Sequence, residues 1–226
     1  MTAGTILLTG FEPYGGRGLN PAHETMRALD GRVIEDLTVA GHSLPVSLKE
    51  LKVRLPALIE EVRPAIVVSL GLWPGEATIR LERVGVNVVD YEIPDNDGIL
   101  IHDDSVSSNA QAGRFATLPL RAIETALLKE GIPARISPSA GTFLCNACLF
   151  TLLDYLAANA SRVPAGFIHV PYVPEQVATM IGELRSEASL EIHQRADMAS
   201  MEQTRIIRGV ELAIATTAKE MRRRPS

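Results

Sequence analysis

The sequence predicts an α/β fold built on a mainly parallel central sheet. Three observations carry this. Short continuous apolar runs, Thr5 to Thr9 and Ala65 to Leu70, have the length and branched content of strands buried on both faces. Longer segments carry apolar residues at helical spacing, as in Leu48, Leu51, Leu55, Leu58, Ile59 and Val62. The two kinds of segment alternate along the chain, which is the order that parallel pairing requires.

The elements follow in order. The run Thr5 to Thr9 ends at Gly10 and opens a loop, Gly10 to Gly16, dense in turn residues. Asn20-Pro21 starts a helix, with Asn as cap and Pro at the first helical position, and that helix runs to about Leu29. A strand is expected over Val33 to Val39, then a helix over Val46 to Val62 that Pro56 bends or splits. After the strand Ala65 to Leu70, ligands of such sheets bind beyond the strand ends, which makes Gly71 to Gly75 a candidate site loop. Ile79 to Val89 alternates as one strand with Arg80, Glu82, Val84, Val86 and Val88 on one face. Tyr91 to Asn109, rich in Asp and Asn, is expected to be a long irregular excursion, a lid or an oligomer contact. Pro119 to Glu130 (helix), Ala134 to Ser137 (strand), Gly166 to Val170 (strand), and amphipathic helices over Pro174 to Glu187 and Ser200 to Met221 complete the series. The tail Arg222 to Arg224 is expected to be solvated.

Length and composition narrow the function. A chain of 226 residues without repeat, low-complexity tract or linker is expected to form a single domain, 1–226. A net charge of −5 argues against nucleic acid as a partner. No apolar run approaches the roughly 18 residues of a membrane span, and the first residues lack the basic start of a secretory signal. The two cysteines lie three apart on one expected helix, which suits no structural disulfide, so a reducing, cytoplasmic setting is expected.

Ser139 to Phe150 is the stretch most suggestive of chemistry. Small residues at Ser139, Ala140 and Gly141 allow a tight turn, and Cys145 falls in the first turn of the apolar helix that follows. The positive end of a helix favours thiolate, so a thiol pKa below the free value of about 8.5 is expected, as a nucleophile needs. The alternative is a small core hydrophobe, which is also the reading for Cys148. Cys145 and Cys148 formally make a C-x-x-C, so a redox pair is a further alternative. No cysteine or histidine spacing suits zinc, and no metal is expected. Among the histidines, His23 lies on a helix and His42, His102 and His193 in polar stretches. His169, ending a strand, is the partner expected for the thiol, and Glu82, among apolar neighbours, is the carboxylate expected to orient it.

These residues lie in motifs that resemble the pyroglutamyl-peptidase I family of cysteine peptidases. The resemblance runs over Leu8 to Gly16 with Asn20-Pro21, Glu82 to Asn87, Ile93 to Asn96 with Gly98, Ala140 to Asn146, and Gly166 to Tyr172 with Pro174 to Gln176. It implies a three-layer α/β/α sandwich with a twisted sheet and a thiol exopeptidase that removes N-terminal pyroglutamate through a thioester. The triad falls on Cys145, His169 and Glu82 and needs no cofactor. Phe11, Tyr14, Phe143 and Leu144 would form the apolar lactam pocket, and N–H groups around Leu144 and Cys145 the oxyanion hole. The partner implied is an N-terminally blocked peptide, and the assembly a homo-oligomer, tetramer or dimer. Three positions depart from the family pattern. Leu72 replaces a Gln that helps substrate recognition, Glu92 an Arg placed near the active site, and Tyr14 a Phe. The departures leave open a peptidase for another N-terminal cap, or a non-catalytic homologue that binds a lactam or peptide terminus.

Overall fold

The computed structural model describes residues 4–14, 17–187 and 199–223. Gly15, Gly16, His193 and Arg224 lie outside the described residues. Four parallel strands form the centre of the sheet: β1 (Thr5–Phe11), β3 (Leu37–Leu44), β4 (Ile66–Leu72) and β9 (Ala165–Val170). β5 (Ile79–Glu82) runs antiparallel to β9 and parallel to β8 (Ala134–Ser137), while β2 (Val33–Ile34) runs antiparallel to β3 at the other edge. The order is β2-β3-β1-β4-β9-β5-β8.

Side-chain alternation assigns the two faces. Ile6 and Leu8 of β1 pack in one core with α1 (Pro21–Leu29), α3 (Leu120–Lys129) and α6 (Gln203–Arg223). Leu7 and Phe11 belong to the other core, with α2 (Leu48–Val62) and α4 (Leu144–Ala158). Helices on both faces explain why β4 is buried at every position. The chain therefore has the expected α/β/α layering. α5 (Pro174–Glu187) carries no fully buried residue between Pro174 and Glu183.

Several elements differ from the sequence reading. Val33 to Val39 is not one strand: β2 and β3 form a hairpin turning at Glu35 and Asp36, with φ of 49° and 65°. Positive φ at both central residues matches the right-handed strand twist, but Glu-Asp lacks the Asn-Gly chemistry that marks such turns. Ile79 to Val89 is likewise two strands. After Glu82 the chain leaves the main sheet, and β6 (Val84–Val86) pairs with β7 (Gly113–Phe115), an element without a pattern in the sequence. α2 begins at Leu48, capped by the Ser47 hydroxyl, and runs unbroken through Pro56.

The excursion after Tyr91 is irregular, as expected, but tied down. Tyr91 N donates to Ile101 O at 2.8 Å, and Asn96 N donates to Val46 O at 2.8 Å. Asp95 accepts from Asp97 N and Ile99 N, which closes the turn at Gly98.

Candidate active site

Strand pairing brings the catalytic candidates together. In the parallel β4–β9 register Gly71 sits beside His169, and in the antiparallel β9–β5 register His169 sits beside Arg80. His169 Nδ1 lies 2.8 Å from Glu82 Oε1, and both residues are almost wholly buried. Burial alone would push the Glu82 carboxyl up, but the His169 hydrogen bond and charge, with Ser137 and Arg80, hold it below the usual range. An ionised Glu82 only accepts, so Nδ1 carries the proton and Nε2 presents its lone pair. Burial, first, holds His169 below its usual value; Glu82 opposes this and the Arg80 charge adds to it. The imidazole is therefore neutral at pH 7, the state a general base needs.

Arg80, 7% exposed, is a member of this group that the sequence reading placed on the Glu82 face without a role. Its Nε donates to the same Glu82 Oε1 at 3.0 Å, and one terminal nitrogen donates to Ser137 Oγ at 2.7 Å and Ser139 O at 3.0 Å. Its guanidinium also stacks 3.7 Å from the centre of the Trp73 ring, whose edge packs on the His169 ring at 4.9 Å. The signal available in the sequence was a second charged residue in an otherwise apolar strand.

Cys145 occupies the first turn of α4. Phe143 caps that helix without a side-chain hydrogen bond, so no side chain competes for the N–H groups at its start. A Cβ at Gly71 would lie 2.7 Å from Cys145 Sγ, so the thiol rests directly on β4 beside His169. The expectation of a lowered thiol pKa is not met. Burial pushes the Cys145 thiol up, and the Glu82 carboxylate adds to this, with only the backbone N–H of Cys145 opposing. Apolar surroundings and nearby negative charge outweigh the partial charge of a helix end. Cys148 is fully buried and unpaired in any disulfide; burial pushes its thiol up to about 12, against a hydrogen bond with Ser69.

A cavity of about 340 Å³ opens over this group, lined by Cys145 and His169 together with Phe11, Tyr14, Phe143 and Leu144. Val46, Ile93, Leu72, Trp73, Asp90 and Glu92 are further walls. The departures at Leu72 and Glu92 thus lie on the cavity itself. Tyr14 and Phe143 have ring centres 6.3 Å apart, and buried Tyr91 packs edge-on to Phe143 at 4.6 Å. Burial, then proximity to Cys145 and Tyr172, raises the Tyr14 hydroxyl. Two residues brace the nucleophile loop that sequence reasoning assigned no such part. Asp90 N donates to Thr142 O and Thr142 Oγ1 donates to Asp90 O at 2.8 Å. Asn146 accepts from Val86 N and donates to Val86 O and Val88 O, each at 2.9 Å, which locks α4 onto β6. Among the described residues no group of three or more His, Cys, Asp or Glu is arranged to hold a metal ion.

A thiol at a helix start and a neutral imidazole lining one apolar cavity, with a buried carboxylate behind the imidazole on the adjoining strand, define a thiol hydrolase on an α/β scaffold. The comparisons narrow the class. The family described as pyroglutamyl peptidase matches residues 4–220. A pyrrolidone-carboxylate peptidase of Thermococcus litoralis is 45% identical over 172 residues, covering 76% of this chain and 78% of that protein. One from Brevibacillus brevis is 41% identical over 214 residues, covering 94% and 92%. The solved pyrrolidone carboxyl peptidase of Thermococcus litoralis superposes with a TM-score of 0.88 at 38% identity, over 97% of this chain and 96% of that one. A mutant pyrrolidone carboxyl peptidase of Pyrococcus furiosus gives 0.87 at 37%, over 96% and 99%. The chain belongs to the pyroglutamyl peptidase family of cysteine peptidases.

Proposed function

We propose that the protein removes N-terminal pyroglutamate from peptides, with Cys145 as nucleophile, His169 as acid and base, and Glu82 as the carboxylate that orients His169. The observation that carries this is the 2.8 Å Glu82–His169 hydrogen bond, made behind the cavity that Cys145 and His169 both line. The lactam ring occupies the apolar end of the cavity among Phe11, Tyr14, Phe143 and Leu144. Cys145 Sγ attacks the carbonyl carbon that joins the lactam to the next residue as its proton passes to His169 Nε2. N–H groups at Leu144 and Cys145 hold the oxyanion. The C–N bond breaks, His169 returns the proton to the leaving amine, and a thioester remains. Water, deprotonated by His169, then attacks the thioester and frees pyroglutamate and the thiol. A neutral thiol beside a neutral imidazole suits proton transfer during attack rather than a standing thiolate. These steps use only protein groups.

The single domain 1–226, the homo-oligomeric state and the cytoplasmic setting belong to the same proposal. Both terminal helices of the described chain, α1 and α6, pack in one core, which supports one domain. Ile99 and Leu100 of the excursion are about half exposed, which suits a contact between copies. Two free cysteines suit a reducing compartment. Among the described residues no helix is long and apolar enough to cross a membrane.

Leu72 and Glu92 on the cavity wall favour a second reading, the same chemistry on a different N-terminal cap. Release of a fluorescent amine from a pyroglutamyl amide, with Cys145→Ala as control, decides between them. Turnover by the wild type alone supports pyroglutamate and the nucleophile. Absence of turnover with an alkylatable Cys145 moves the assignment to another cap.

A further inference from the structure

A second cavity, of about 450 Å³, adjoins the first. The two share Tyr14, Leu72, Pro74 and Ile93 as walls. The far side of the second cavity is made by Leu19 and by α5 through Gln176, Thr179 and Met180. Most of its polar side chains are engaged elsewhere. Arg17, its one charged lining residue, pairs with Glu183 at 2.6 Å. Gln176 donates to Leu19 O and accepts from Val173 N, and Thr179 donates to Glu175 O. What remains is apolar: Leu19 and Ile93 are 38% and 45% exposed here, large apolar side chains left open to solvent.

The reaction determines which part of a substrate can reach this space. This inference rests on the pyroglutamate reading above. A pyroglutamyl residue has no residue before it, because its own ring closes its nitrogen. Everything a peptide presents beyond the lactam therefore lies on the leaving side of the bond that Cys145 attacks. An extended chain advances about 3.3–3.6 Å per residue, so the first residue after the lactam is placed toward a cavity that shares four wall residues with the catalytic one.

We propose that this second cavity is the subsite for the leaving peptide, and that it selects an apolar side chain directly after the pyroglutamate. Leu19, Ile93 and Met180 surround that side chain, while the Arg17–Glu183 pair lies at the rim beside the following residues. An apolar side chain here gains contact that glycine lacks, and a carboxylate gives up its water against a largely apolar lining.

The test compares kcat/KM for three substrates, pyroglutamyl-leucine, pyroglutamyl-glycine and pyroglutamyl-aspartate, each as the C-terminal amide. The subsite predicts leucine over glycine by about tenfold, with aspartate below glycine. Met180→Asp and, separately, Leu19→Asp bring the leucine-to-glycine ratio down toward one. Two positions on different segments, Leu19 exposed and Met180 half-buried, guard against a misfolded variant. Equal rates for leucine, glycine and aspartate overturn the subsite while leaving the reaction intact, as does a leucine-to-glycine ratio unmoved in both variants. No turnover of any pyroglutamyl amide by the wild type overturns the reaction and the subsite with it.

Discussion

Arg80→Met should move the acid limb of activity upward. Arg80 Nε and His169 Nδ1 share Glu82 Oε1 at 3.0 and 2.8 Å. The two nitrogens therefore lie within about 6 Å of each other, and at an effective dielectric of about 20 a unit charge there opposes the imidazolium by about 2.8 kcal/mol, or about two pH units. His169 is held below its ordinary 6.5, by burial first and with the Arg80 charge adding to it. With His169 as the proposed base, activity needs the neutral imidazole, so the wild-type kcat/KM should fall on the acid side with a midpoint below 6.5. Removing the cation raises the pKa of His169 and of Glu82 together, and both changes shift the limb the same way. Methionine keeps much of the buried volume but gives up the hydrogen bonds to Glu82, Ser137 and Ser139. The expected result is a midpoint raised by about one to two units, with Arg80→Lys, which keeps the charge, shifted less. The assay is kcat/KM on a pyroglutamyl amide from pH 4.5 to about 9, with thermal melts to show that each variant is folded. A folded Arg80→Met enzyme with an unmoved acid limb refutes the electrostatic reasoning.

Other substitutions probe the same site. Gly71→Ala places a Cβ 2.7 Å from both Cys145 Sγ and Phe167 Cζ; it should cost about 1–3 kcal/mol in a denaturation curve and lower kcat about a hundredfold by displacing the thiol. Cys148→Ser should keep kcat within about threefold, since Cys148 is buried and bonded to Ser69 rather than facing substrate, whereas a redox role would abolish activity. Iodoacetamide alkylation of Cys145 in the free enzyme should keep accelerating above pH 8.5, because burial raises this thiol; a plateau already reached at pH 7 contradicts the neutral resting state. Asn146→Ala strands Val86 N–H and two carbonyls, and should lower stability by about 2–4 kcal/mol, read as a Tm drop of several degrees.

What the sequence revealed and what it concealed divide along local and non-local lines. Cys145 and His169 each stand where a local pattern marks a boundary, a small-residue turn before an apolar helix and a strand cut off by Pro171. Glu82 showed itself as a charge in an apolar strand, but Arg80 carries the same mark, and nothing local tells the carboxylate that orients a base from the cation that holds it in place. Separating them takes the β5–β9 pairing, which joins residues 87 apart and runs antiparallel within an otherwise parallel centre. The Val33 to Val39 hairpin was hidden because its turn uses Glu35 and Asp36, a pair without the glycine that marks such turns. The thiol departs from the helix-end expectation for a related reason. Position in a helix is readable from sequence, while burial and the charges that strands from elsewhere deliver are not. A helix end offers about half a unit charge, whereas Cys145 sits against β4 in apolar surroundings with the Glu82 carboxylate beyond His169. The same apolar walls that suit a lactam ring therefore oppose a standing thiolate. On the mechanism proposed above, the nucleophile of the free enzyme stays protonated and His169 takes the proton as the bond to the acyl carbon forms.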